Sequence, residues 1–182
     1  MTFLAGHRHM LWNWRKKPAG SPERALDLRK RGSRLLAQKR FHESINLLRQ
    51  AAEIEPHNFD GRVNLGSACY LTGQHEEAIG HFRYVLGIDP YHPMALLNLA
   101  AAFDAVGKLE ESIRTLEQLR HARPKFPDVH YNLAIAYMKQ EDYAKAEQML
   151  KEELQLNPKN QNARSLLNKL YLKIPKRSHG TQ

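Results

Sequence analysis

Residues 90–124 read PYHPMALLNLAAAFDAVGKLEESIRTLEQLRHARP, and the proline at each end sets the scale of the whole chain. Pro56, Pro90, Pro124 and Pro158 follow one another at intervals of 34 residues. Ahead of each lies an amphipathic stretch: Ile45–Ile54, Ala78–Ile88, Ile113–Leu119 and Ala146–Leu156. Proline lacks an amide donor and clashes with the preceding turn, so it ends helices of this kind. Pro93 and Pro127, again 34 apart, are expected just inside the start of the next helix, where a missing N–H costs nothing. Ser21-Pro22-Glu23 marks another helix start, Pro18 falls in a linker, and Pro175 closes the last helical pattern.

A second break divides each unit into two helices. Gly73 and Gly107 stand where a helix ends in a left-handed residue, and the first and fourth units place Lys39 and Glu141 there, so those turns are made without glycine. Small residues recur in the same register: Gly32, Gly66, Ala100 and Ala134 form one column, and Ser44, Ala78, Ser112 and Ala146 a second. Helix axes approach to about 8–10 Å only over small contact residues, so the two columns mark where paired helices cross. Larger residues such as Leu35, Phe41, Phe82, Phe103, Tyr137 and Tyr143 fill the remaining apolar positions.

The composition of the 182-residue chain, 42% apolar and 26% charged, is that of neither a wholly disordered chain nor a membrane bundle. No apolar run approaches the roughly 18 residues of a spanning helix, and no secretory h-region forms at the N-terminus. A single cysteine, Cys69, makes no internal disulfide and fits a reducing compartment; at an apolar helix position it reads as a buried, inert thiol. The net charge of +9 is unevenly placed. Residues 1–40 carry +9, residues 41–158 carry −6 and residues 159–182 carry +6. The chain is an acidic body with two basic ends.

The units together resemble tetratricopeptide repeats. That pattern has Leu-Gly, an aromatic, a small-x-x-x-large pair and a closing proline. The second unit supplies Leu65-Gly66, Cys69, Ala78, Phe82 and Pro90; the third Leu99-Ala100, Phe103, Ser112, Leu116 and Pro124; the fourth Leu133-Ala134, Tyr137, Ala146, Leu150 and Pro158. The first diverges most, with Arg31-Gly32, Leu35, Ser44, Leu48 and Pro56, and the family's tryptophan is replaced by Leu28, Arg62, Leu96 and His130. The resemblance implies an all-α, right-handed α-solenoid of four helix–turn–helix units, at about 25–58, 59–92, 93–126 and 127–160. A capping helix over 161–174 follows, with a flexible basic segment expected over 1–20 and a disordered tail over 175–182.

The resemblance also implies that the first helix of each unit lines a concave groove, which makes the chain a protein–protein adaptor. Asn64, Asn98 and Asn132 recur at 34 residues in those helices, with Lys30 in the first unit. A carboxamide carries donor and acceptor, so the column reads either as a ladder that grips an extended peptide backbone or as a solvated face. Tyr70 and Tyr131, with Val63, Leu97, Ile135 and Met138, give the groove apolar character or pack against neighbours. Arg29, Lys30 and Ser33 make its N-terminal end basic, and Asp60, Asp104 and Asp128 add negative charge. A protein or peptide with apolar anchors, acidic toward one end, matches that surface. The carboxylate clamp of co-chaperone repeats is disfavoured: Arg29 and Asn64 fit it, but Ser33, Met94 and Asn98 do not.

Trp12 and Trp14, beside Arg15, Lys16 and Lys17, read either as a weak anchor to an anionic membrane surface or as a tail. The basic cluster of the first helix makes nucleic acid a lesser reading, since the acidic body repels a polyanion. No Walker loop, nucleophile elbow or HExxH occurs, and the ten histidines are dispersed. The expectation is therefore a non-enzymatic cytoplasmic protein, peripheral to a membrane if the N-terminal anchor operates, with no catalytic residue, metal, cofactor or small-molecule substrate.

Overall fold

The computed structural model describes residues 20–173, and these fold as an α-solenoid. The first unit pairs α1 (Pro22–Ala37) with α2 (Phe41–Ile54), and the second pairs α3 (Phe59–Leu71) with α4 (His75–Leu86). The third pairs α5 (Pro93–Ala105) with α6 (Leu109–Ala122), the fourth α7 (Val129–Lys139) with α8 (Tyr143–Leu156), and α9 (Gln161–Lys173) closes the stack. Among the described residues there is no strand, and no helix is long and apolar enough to cross a membrane. Trp12, Trp14, Arg15, Lys16 and Lys17, with the rest of the basic N-terminal segment and the tail, lie outside the described residues.

The turn inside each unit is the same in all four. Lys39, Gly73, Gly107 and Glu141 have φ of 61°, 81°, 76° and 61°. In each case the next residue's N–H reaches back five positions: Arg40 to Leu35, Gln74 to Cys69, Lys108 to Phe103, Asp142 to Tyr137, at 2.8–2.9 Å. This pair of features defines a Schellman ending. The units without glycine therefore keep the left-handed residue that glycine serves elsewhere, because the antiparallel helix pair demands that ending whatever residue occupies it.

The two small-residue columns lie at the crossings. Ser44, Ala78, Ser112 and Ala146 are buried, as are Gly32, Gly66, Ala100 and Ala134. A Cβ on Gly32 would lie 2.7 Å from Leu48 Cγ, and one on Gly66 2.6 Å from Phe82 Cε1. Ser44 Oγ also donates to the Gly32 carbonyl at 2.8 Å, which seals the first crossing. Leu48, Phe82, Leu119 and Leu150 are fully buried in the interior between the layers. Two places where the family carries tryptophan hold polar groups instead. Arg62 is buried with its guanidinium 3.9 Å above the Tyr84 ring and its Nε donating to the Pro56 carbonyl, and buried His130 stands 3.4 Å from Glu152.

One expected helix start moves. Pro93 sits at the first turn of α5, but Pro127 lies outside α7, which begins at Val129 after Asp128 at φ 62°. The Phe126 side chain packs on Leu96, Leu119 and Val129, and a residue preceding proline avoids the helical region. Phe126, Pro127 and Asp128 thus make a turn, and the helix starts two residues late. The joint between units three and four is accordingly thinner. α7 packs on α6 less extensively than α3 on α2 or α5 on α4. The hydrophobic interior divides within α5 instead, one cluster running from Ile45 to Phe103 and another, which spans the joint between units three and four, from Ala100 to Leu170.

Candidate functional site

Helices α1, α3 and α5 touch one another side by side, and no second helix packs on the next second helix to that extent among the described residues. The first helices therefore form the inner layer of the curve and the second helices the outer layer, so a given register position of α1, α3, α5 and α7 repeats along one groove.

The asparagine column lies in that groove, each member half-buried. Asn64 Nδ2 donates to Ser33 Oγ at 2.9 Å and Asn98 Nδ2 donates to Ser67 Oγ at 3.0 Å, each serine belonging to the preceding first helix. Ser67 in turn donates to the Val63 carbonyl at 2.9 Å. The fourth unit lacks this rung because Ala101 stands where Ser33 and Ser67 stand one and two units earlier. Asn132 Nδ2 turns instead to the Asp128 carbonyl of its own helix, at 2.8 Å. Among the described residues, the Oδ1 atoms of Asn64, Asn98 and Asn132 accept no hydrogen bond, so each amide keeps an acceptor and a second N–H without a partner there. The serines were readable in the sequence at the same 34-residue period, but an interval of 31 between bonded partners matches neither the repeat nor a helical turn.

The charges sort differently from the sequence picture. Arg29 is ion-paired with Glu55 at the end of α2, and its stem lies against Gly61, where a Cβ would meet Arg29 Cδ at 2.7 Å. The guanidinium is thus committed within the fold. Lys30 is exposed and, among the described residues, has no ion pair. Asp60 and Asp128 are exposed, while Asp104 receives Lys139 Nζ on both oxygens, at 2.7 and 2.5 Å, a tie from α7 back to α5.

The groove's apolar content concentrates toward the second half. Leu97, Tyr131 and Met138 are half-buried against the downstream interior, and Met94 is 44% exposed at the groove edge. Tyr70 is half-buried against the upstream cluster, its ring 5.3 Å from that of His75. Val63 is buried and belongs to the interior rather than the surface. Lys30, Asn64, Asn98 and Asn132 thus share one register position of the first helices, Tyr70 and Tyr131 stand half-buried on α3 and α7, and Arg29 holds Glu55.

Comparison with known proteins agrees with this architecture. One tetratricopeptide repeat family model matches residues 71–134 and 107–170, and a second tetratricopeptide repeat model matches residues 29–93. No curated protein matches the sequence. Among solved structures, MamA (residues 41 to the end) from Desulfovibrio magneticus RS-1 superposes with a TM-score of 0.74 at 22% identity, over 84% of this chain and 86% of that one. YrrB, described as a TPR protein with an unusual peptide-binding site, gives 0.70 at 18% identity over 79% and 74%. The first TPR of Spaghetti (RPAP3), bound to the HSP90 peptide SRMEEVD, gives 0.63 at 20% identity over 66% and 96%. With the 34-residue register, the four identical turns and family models spanning residues 29–170, the chain belongs to the tetratricopeptide repeat family.

Proposed function

We propose that the protein is a non-enzymatic adaptor that holds an extended peptide segment of a partner protein along α1, α3, α5 and α7. The observation that carries this reading is the asparagine column: serine bonds hold Asn64 and Asn98 in place while each amide keeps groups for a peptide backbone. Carboxamides bond N–H and C=O regardless of side chain, so they supply affinity along an extended strand. Leu97, Tyr131 and Met94 then supply the pockets that choose the side chains. The favoured guest has apolar anchors toward the α5–α7 half, and an acidic residue near α1 finds Lys30 as its partner. YrrB and Spaghetti, with peptide binding in their descriptions, support the reading as relatives in fold.

The test begins with a photo-crosslinking residue at Leu97, which identifies the bound segment by mass spectrometry. Asn64→Ala, Asn98→Ala and Asn132→Ala together should then weaken that peptide by about 1.5–4.5 kcal/mol, at about 0.5–1.5 per hydrogen bond. That corresponds to roughly a 10- to 2,000-fold rise in Kd. Ser33→Ala with Ser67→Ala keeps the amides but releases them from their fixed positions, and should weaken the same peptide by less than the triple variant does. A folded triple variant that binds as tightly as the parent would remove the groove from consideration.

A further inference from the structure

Cys69 lies on α3, whereas Glu77 and His81 lie on α4, eight and twelve residues later. No spacing in the sequence flags them as a set. The Thr72–Gln74 turn folds α4 back onto α3. A ligand atom from each of Cys69, Glu77 and His81 then lies within 4.8 Å of the other two. Glu77 and His81 are one helical turn apart and face the same way, toward the fully buried Cys69. His81 Nε2 is buried, stands 3.5 Å from Glu77 Oε1 and has no hydrogen-bond partner among the described residues. A thiol, a carboxylate and an unpartnered imidazole nitrogen thus converge between two helices.

We propose that Cys69, Glu77 and His81 form a binding site for a zinc-class divalent cation, with a fourth position open to water. One sulfur, one nitrogen and one oxygen donor suit Zn2+ or Co2+ better than Mg2+ or Ca2+, which take oxygen ligands. Tetrahedral zinc at about 2.0–2.3 Å from each donor places ligand atoms about 3.3–3.8 Å apart, so closure from 4.8 Å asks each side chain to move by less than about 1 Å.

Binding must remove one proton. Burial pushes the Cys69 thiol up to about 11, so the metal-free protein holds it as S–H. On binding, the S–H bond breaks, a metal–sulfur bond forms and the proton leaves to water. Burial and then the charge of Arg62 hold His81 below its ordinary value, which leaves the ring neutral with a lone pair to give. A dication with a thiolate, a carboxylate and a neutral imidazole carries no net charge. The metal-free cluster carries the single charge of Glu77, so binding with loss of one proton raises the local charge by one unit beside Arg49 and Arg62, the cations that face the cluster. Arg49 donates to Glu77 Oε1 at 2.8 Å, the kind of outer hydrogen bond that orients a ligating carboxylate.

The experiment titrates the tag-free full chain with Co2+ in a phosphine reductant. Binding of one Co2+ per chain should bring up a thiolate-to-cobalt charge-transfer band, and Zn2+ should displace it. Cys69 is the only cysteine in the sequence, so the band reports on this site alone. Cys69→Ser should abolish the band, and His81→Gln and Glu77→Gln should each weaken binding by at least about tenfold. His7→Ala with His9→Ala should leave the titration unchanged. Far-UV circular dichroism verifies folding, and Glu77, partly exposed, gives a variant whose loss does not open the interior. The absence of the band in the parent, two chains per cobalt, a titration unaltered in folded Cys69→Ser, or loss of binding in the His7/His9 variant would each overturn the assignment.

Discussion

Replacing Lys39 and Glu141 by glycine should stabilise the protein. Both residues sit at φ 61° in the intra-unit turn, where Gly73 and Gly107 stand in the other two units. A left-handed conformation costs an ordinary L-residue about 1–2 kcal/mol, and glycine gives back about 0.5–1 kcal/mol through the greater freedom of its unfolded chain. The net gain is about 0.5–1 kcal/mol at each site. Both side chains are exposed, and among the described residues neither makes a side-chain hydrogen bond or ion pair, so little is lost with them. The sites lie in the first and fourth units, far enough apart to add. Lys39→Gly with Glu141→Gly should therefore gain about 1–2 kcal/mol in urea unfolding, a rise in Tm of about 2–8 °C. Asparagine, which tolerates this region better than most residues, should fall between parent and glycine at either site. The reverse changes, Gly73→Ala and Gly107→Ala, test backbone strain cleanly because a Cβ there meets nothing within 4 Å. They should lose about 0.5–1 kcal/mol each. Glycine variants no more stable than the parent, or alanine variants no less stable, would refute the strain argument.

Three further outcomes follow from the geometry. Gly66→Ala drives a methyl against Phe82 and should cost about 1–3 kcal/mol, whereas Gly80→Ala, with open space around it, should gain up to about 1 kcal/mol; urea midpoints separate the two. Ala101→Ser offers Asn132 the hydroxyl that Asn64 and Asn98 already bond, and should slow amide exchange in α7 by the equivalent of about 0.5–1 kcal/mol. Asp142 caps α8 through the Lys145 N–H, and its carboxyl is held below its ordinary value, first by the Lys145 side-chain contact and then by that backbone bond. A depressed folded pKa gives stability that is complete above the unfolded pKa of about 3.9 and lost as pH falls through the folded value. Asp142→Ala should thus cost about 0.5–2 kcal/mol at pH 7, with the difference from the parent shrinking in unfolding curves taken at increasingly acid pH.

The fold was legible because its rules act locally or at one fixed period. Proline ends helices wherever it falls, and small residues at Gly32, Gly66, Ser44 and Ala78 are needed wherever helices cross closely. What escaped the sequence depends on tertiary context. Lys39 and Glu141 do not announce a left-handed backbone, because the neighbouring helix imposes it. Pro127 looks like a helix start, and only the packing of Phe126 displaces it. In the groove, the asparagines were visible, but their serine partners, the burial of Val63 and the capture of Arg29 by Glu55 were not. Those are side-chain pairings between units, and no one-dimensional spacing encodes them.

The missing rung at Ala101 gives the solenoid a preferred place to yield. Along the inner layer the first three units are fastened by two short amide–hydroxyl bonds, interactions to which dissolved ions are nearly indifferent. The fourth, though it shares buried packing with the third, is fastened along the inner layer by Lys139 on Asp104, a partly exposed ion pair that added salt screens. The superhelix therefore behaves as a rigid arm with a compliant last segment, whose pitch responds to ionic strength and to tension. Stretched end to end, it should part first between α5 and α7, and a guest spanning that gap would act as a splint.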